Sequence, residues 1–274
     1  MTRLVDSHCH LDSAPFAKDA DAAIARARLV GVEHFLVVGT SLSTAARTAS
    51  FVRGRSGFSC TVGTHPHHAA EESPSVGDLI AAARRHGAVG LGETGLDFNR
   101  NRTPAEVQKE NFRRHVEAAL ALDLPLVVHT RDADAQTVAL LDEADPGRRL
   151  RGVLHCFDSG RELAEAAFSR GLHLSFSGIL TYKRSVDLRA IAGASPRDRV
   201  LLETDCPYLS PEPVRGMRRN EPSNLVHTAA VLAQAWNVSL EAAAEATTEN
   251  FLRLFSAADA REASADGMSA PVTA

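Results

Sequence analysis

The stretch "RLVDSHCHLD", residues 3–12, decides between two architectures. It opens as a short β-rich run and passes directly into His8, Cys9 and His10, and residues 5 to 12 contain no glycine. A doubly wound nucleotide-binding sheet would often carry a glycine-rich turn after its first strand. That turn is absent, which favours a closed barrel. Side chains alternate along a strand. His8 and His10 therefore share one face, while Cys9 points the other way, towards the helices.

Working outward, the same kind of run recurs seven times: "EHFLVVGT" (33–40), "FSCTVGTHP" (58–66), "AVGLGETGLD" (88–97), "LPLVVHTRD" (124–132), "RGVLHCFD" (151–158), "LHLSFSG" (172–178) and "RVLLETDCP" (199–207). Helical spacing fills the intervals at 17–30, 42–53, 75–86, 104–122, 133–144, 160–170, 184–192, 222–236 and 239–254. The 104–122 segment is the clearest. Thr103 is expected as its N-cap, with Pro104 at the first helical position and Glu106 completing a capping box. Phe112, Val116, Ala119 and Leu120 form its apolar stripe. Eight strands alternating with helices predict an α/β fold, a single-domain (β/α)8 TIM barrel over residues 1–255. Residues 256–274 lack periodicity and large apolar side chains and read as a short disordered tail.

The bulk composition narrows the function. The chain has 274 residues, 44% of them hydrophobic, enough for one large core. A net charge of −4 excludes a protein that coats nucleic acid with its whole surface, but leaves a local basic site open. No apolar run reaches ~18 residues, so no membrane span is expected. The N-terminus lacks the pattern of a secretory signal. Cys9, Cys60, Cys156 and Cys206 form no CxxC pair and read as small buried groups in a reducing compartment. The chain is thus expected to be cytoplasmic.

Barrel enzymes place their chemistry at the C-terminal ends of strands. Six histidines fall at such ends (His8, His10, His65, His67, His129, His155), together with Glu93 on strand 4 and Asp205 on strand 8. Four histidines and two carboxylates converging on one barrel mouth suit a two-metal centre of zinc, magnesium or manganese. Glu93 is the natural bridge. Asp205 is placed to take the proton of an attacking water. By the same alternation, Cys156 and Cys206 point away from His155 and Asp205. His34, His68, His86, His115, His173 and His227 receive no role.

Several stretches resemble the TatD family of metal-dependent deoxyribonucleases within the amidohydrolase-like barrels: "DSHCHLD" (6–12), "VGTHPHHA" (62–69), "GLGETGLDF" (90–98), "QKENFRRHVEAALALDLPLVVHTRDA" (108–133), "GVLHCF" (152–157), "LSFSGILT" (174–181), "LLETDCPYLSP" (201–211) and "RNEPSN" (219–224). The resemblance implies His8 and His10 as first-strand ligands, Glu93 as the shared glutamate, and His129 and His155 as the second ion's histidines. It implies Asp205 as last-strand ligand and general base. It also implies His65 as a phosphate-side residue, with Arg131 and Asn220 near the substrate. Thr94, Phe98 and "VRGMRRNEP" (214–222) depart from the family pattern in substrate loops rather than in the ligand set.

The expected activity is a 3′–5′ exodeoxyribonuclease that hydrolyses DNA from a strand end, with no membrane and no obligate protein partner. Arg100, Arg102, Arg131, Lys183, Arg184, Arg215, Arg218 and Arg219 fall in or beside the βα-loops, where phosphates would dock. No interleaving of aromatic and basic residues marks a stacking platform. The alternative within enzymes is hydrolysis of an ester, a lactone or an aminoacyl-tRNA ester by the same site. A non-catalytic barrel would be expected to lack a ligand, whereas every ligand position is filled.

Overall fold

A computed structural model describes residues 3–100 and 102–256. Eight parallel strands run in sequence order: β1 (Leu4–Cys9), β2 (Val32–Val37), β3 (Phe58–Val62), β4 (Gly90–Asp97), β5 (Leu126–Arg131), β6 (Gly152–Leu154), β7 (His173–Phe176) and β8 (Val200–Leu202). Helices α1 (Ala20–Leu29), α2 (Ala45–Val52), α3 (Val76–His86), α4 (Ala105–Leu122), α5 (Asp134–Ala144), α6 (Arg161–Ser169), α7 (Val186–Ala194) and α8 (Leu225–Trp236) alternate with them, and α9 (Leu240–Leu254) follows. This is the expected TIM barrel. The tail expected from residue 256 lies, from 257 onward, outside the described residues.

Seven neighbouring strand pairs are joined by parallel ladders. The β8–β1 seam closes differently. Asp205 N donates to His8 O and His10 N to Cys206 O, both at 2.9 Å. The buried Asp6 carboxylate accepts from Thr204 N at 2.9 Å and Thr204 Oγ1 at 2.5 Å.

Inside the barrel, Val5, Leu36, Val38, Val89, Val127, Val153 and Leu201 pack against Phe251 and Leu254 of α9 and Phe255 just after it. Asn250 Nδ2 anchors that helix to Arg197 O and Val200 O, and Thr248 Oγ1 anchors it to Arg3 O. The N-terminal end is thereby plugged, and the open end is the one carrying the histidines. The larger core cluster lies between strands and helices and holds Cys9, Cys60 and Cys206.

Two local expectations are corrected. Helix α4 begins one residue late. Pro104 takes the N-cap position without a side-chain cap. Instead of capping, Thr103 is buried: its carbonyl accepts from Gln108 Nε2 and its hydroxyl donates to His67 O, while Glu106 pairs with Lys109. The end of strand 6 is the second correction. The strand stops at Leu154, and Cys156 adopts a left-handed φ of 46°, so alternation no longer governs it. Cys156 lines the mouth cavity, with Sγ 3.3 Å from Ser177 Oγ, rather than packing among the helices.

Candidate metal centre

β4 positions the central carboxylate by leaving its regular register between Leu91 and Thr94. Gly92 makes this feasible. Its φ is 117°, and a Cβ there would lie 2.5 Å from Val127 O, so no other residue fits. Glu93 N donates to Gly39 O at 2.6 Å, and the side chain extends into the barrel mouth.

Both Glu93 oxygens are engaged, each by a different set. Oε1 lies 2.8 Å from His155 Nε2, 3.0 Å from His129 Nδ1 and 3.3 Å from His65 Nε2. Oε2 lies 3.4 Å from His8 Nε2 and 4.0 Å from His10 Nε2. Asp205 Oδ1 joins the second set, 3.4 Å from His10 Nε2 and 3.8 Å from His8 Nε2. His8 lies near the end of β1 and His10 just beyond it, where the pairing with β2 also shifts, between Asp6 and Cys9. Ser7 Oγ meanwhile lies 3.0 Å from Ser175 Oγ of β7.

The remaining ring nitrogens assign the tautomers. His155 Nδ1 lies 3.3 Å from Glu203 Oε1, and His129 Nε2 lies 3.3 Å from Asp97 Oδ2. With those protons donated outward, His155 Nε2 and His129 Nδ1 present lone pairs to Glu93, 3.2 Å from one another. Two acceptors facing each other beside a carboxylate are a cation-binding arrangement, and the outer carboxylates orient the rings. His65 is the reverse case. Its Nδ1 accepts from His67 N at 3.1 Å, so a neutral ring carries its proton on Nε2. Although His65 Nε2 stands close enough to Glu93 and His129 to share an ion, it faces the site as a donor.

The protonation balance agrees with a site built for positive charge. Burial opposes charge on His155, His129 and His10, yet the surrounding carboxylates outweigh it and raise all three. Glu93 and Asp205 are driven the opposite way: burial alone would raise them, but the imidazoles hold both below the ordinary carboxylate range. Burial lowers His65 to about 4 despite Glu93 beside it, so this ring is neutral near pH 7. A metal cation competes with the ring protons for the same carboxylates.

Two residues of this network escaped the sequence reading. Asp97 accepts from His67 and His129 through Oδ2, and from the Asn99 and Arg100 backbone through Oδ1. Glu203 is wholly buried behind His155. Their only sequence signal was an acidic residue near a strand end, in "GLD" and "ETD".

Above the centre opens a cavity of ≈ 910 Å³ whose wall includes Arg47, Arg100, Arg102, Arg131, Arg184, Arg215 and Arg218. Arg131 is exposed there. Arg219 is committed elsewhere, to Asp19 at 2.6 and 2.7 Å. Lys183 does not line the wall, and Arg47, an unexpected member, does. Asn220 is fully buried away from the wall, its Nδ2 donating to Thr204 O while its Oδ1 accepts from Glu221 N and Asn224 Nδ2. It fixes the loop after β8. Among the described residues, no helix is long and apolar enough to cross a membrane.

The family model described as TatD related DNase matches residues 5–256. The chain belongs to the TatD family. It is 40% identical over 259 residues to the "uncharacterized metal-dependent hydrolase YcfH" of Escherichia coli K12, covering 92% of this chain and 95% of that one. It is 41% identical over 261 residues to the "3′-5′ ssDNA/RNA exonuclease TatD" of Cronobacter turicensis, covering 92% and 97%. The solved structure of YjjV, a TatD homologue of Escherichia coli K12, superposes with a TM-score of 0.86 at 28% identity, covering 93% and 98%. The TatD-family hydrolase of Entamoeba histolytica shares the fold, with a TM-score of 0.82 at 21% identity over 93% and 98%.

Proposed function

We propose that this TatD-family protein is a two-metal phosphodiesterase that removes nucleotides from the 3′ end of DNA. The observation carrying the reading is that the two oxygens of Glu93 face separate donor sets. His129 and His155 would hold one ion at Oε1, and His8, His10 and Asp205 the other near Oε2, with Glu93 shared. A bound pair of divalent cations would polarise the scissile phosphate and acidify a water.

The chain's own residues supply the rest. Asp205, kept ionised by His10 and His8 against its burial, accepts the water's proton as the oxygen–phosphorus bond forms, while the bond from phosphorus to the sugar oxygen of the remaining strand breaks and that oxygen leaves as a hydroxyl after taking up a proton. His65 Nε2–H, neutral and fixed by the His67 amide, donates to a phosphate oxygen on the Oε1 side. The arginine rim binds flanking phosphates, so affinity falls as salt rises. A basic mouth on a chain of net charge −4 favours a short strand end over a wrapped duplex.

The test incubates purified protein with 5′-labelled single- and double-stranded DNA and RNA, and with a panel of esters and lactones, in magnesium, manganese or zinc. A ladder shortening from the 3′ end is expected. Hydrolysis confined to the esters or lactones would overturn the phosphodiesterase reading in favour of another bond.

A further inference from the structure

Few large apolar side chains are exposed among the described residues, and two of them, Tyr208 at 61% and Met217 at 53%, belong to the wall of the catalytic cavity. Both come from the loop between β8 and α8. This loop is tied down rather than loose. Tyr208 N donates to Asp205 O, and Asn220 N to Pro207 O. Ser210 Oγ donates to Met217 O at 3.4 Å, Tyr182 OH to Ser210 O at 3.2 Å, and Glu212 N to Thr181 Oγ1 at 2.8 Å. A flat aromatic face held open to water beside a reactive centre marks a ligand contact more than a packing accident.

Its position fits one part of a nucleotide. The Tyr208 ring lies 6.4 Å from the His10 ring, centroid to centroid, and three residues from Asp205. Around the barrel, β8 lies opposite β4, whose following loop carries Arg100 and Arg102. The exposed apolar side chains of the mouth are thus set within a basic rim, with Arg215 and Arg218 on their own loop and Arg100 and Arg102 on the opposite side. A terminal nucleotide combines the same two elements, a planar base joined through its sugar to phosphate. Every base offers a π-face, so stacking selects for a base without reading which one.

Resting on the phosphodiesterase reading above, we propose that Tyr208, assisted by Met217, stacks the unpaired nucleobase of the strand end and makes the enzyme select a terminal nucleotide that carries a base. A duplex end would have to release its last pair to be held this way.

The test uses the metal-loaded full-length protein and two 5′-labelled single strands, identical except that the last nucleotide carries thymine in one and is abasic in the other. The kcat/KM ratio of base-bearing to abasic ends is expected at roughly 5- to 150-fold, the range of one base–aromatic stack. Tyr208→Phe should keep that ratio, and Tyr208→Ala should bring it towards one, with circular dichroism confirming the fold of each variant. Equal rates on both ends in the wild type, or an undiminished ratio in Tyr208→Ala, would overturn the stacking role while leaving the nuclease reading intact. Failure of the wild type to cut either strand would instead bring down the nuclease reading and this one with it.

Discussion

Glu203 offers a quantitative test of how the centre is held. Its side chain is fully buried; Oε1 lies 3.3 Å from His155 Nδ1, and Oε2 has no hydrogen-bond partner. Replacing it with leucine leaves His155 Nδ1 without its acceptor, so neither tautomer nor ring angle is fixed. Losing such an outer partner costs about 10- to 100-fold in metal affinity, equivalent to roughly 1.4–2.7 kcal/mol. Glu203→Gln retains an acceptor oxygen but loses the charge and should fall near the lower end. Folding stability should not track this loss. Leucine removes the desolvation cost of a buried carboxylate with one oxygen unsatisfied, which offsets the cost of leaving His155 Nδ1 unpaired. The assay is a competition titration of zinc or manganese against a chelating dye, paired with urea denaturation of the metal-free forms. Wild-type metal affinity in Glu203→Leu would refute the orienting role. A loss of affinity matched by an equal loss of metal-free stability would show damage to the fold instead.

Other outcomes follow from the same geometry. Asp205→Asn should fold normally but lose about 10²- to 10⁴-fold in turnover; near-wild-type kcat would remove Asp205 as the general base. Asn220→Ala breaks three buried hydrogen bonds and should lower stability by roughly 2–4 kcal/mol; a variant of normal stability with raised KM would restore it to the substrate side. Burial lowers His115 and His173 to about 4. The unfolded chain therefore takes up protons first as pH falls from about 6.5, and stability is lost on acidification, on the order of 3 kcal/mol per ring by the time pH reaches the folded value. His173→Phe should flatten the pH dependence of urea unfolding by about one proton, and an unchanged slope would contradict this. Chelation should lower Tm, since an ion at 100 times its Kd contributes about 2.7 kcal/mol; no shift on chelation of metal-loaded protein would argue against a bound ion.

The direction of a side chain was legible in the sequence only where alternation held from one residue to the next. In β1 the alternation rule separated His8 and His10 from Cys9, and Cys9 does pack away, with Sγ towards Leu36 O at 3.4 Å. For Cys156 the rule failed, because the strand had ended two residues earlier. Asn220 was illegible for another reason. A polar residue in a loop motif invites a substrate role, and only the burial of both its amide atoms reveals that it serves the loop. His115 was passed over as a helix residue, yet its Nε2 accepts from Thr64 N at 3.0 Å while Nδ1 pairs with Asn111 O at 2.7 Å, fixing the turn that precedes His65. Partners brought together by long-range folding leave no trace in local spacing.

The β8–β1 seam ties the fold to the chemistry. His8 and His10 arise on one side of it and Asp205 on the other, and no strand ladder joins the two. Their relation rests on two backbone hydrogen bonds at the mouth and on Asp6 gripping Thr204 beneath. Such a seam can set the spacing between β1 and β8 to suit a ligand set, since no register of paired strands dictates it. The opposite set is built differently. His129 lies on β5, directly laddered to β4, and Gly95 at φ 135° lets the two chains approach where a Cβ would lie 2.0 Å from His129 O. Glu93 thus stands between one half whose histidines are positioned by paired backbone and outer carboxylates and another held by two backbone hydrogen bonds and the Asp6–Thr204 contacts. Asp205, the residue proposed to move a proton, belongs to this second half, where its own amide bonded to His8 O and the His10 amide bonded to Cys206 O fix its backbone against β1 independently of the ladder that holds Glu93.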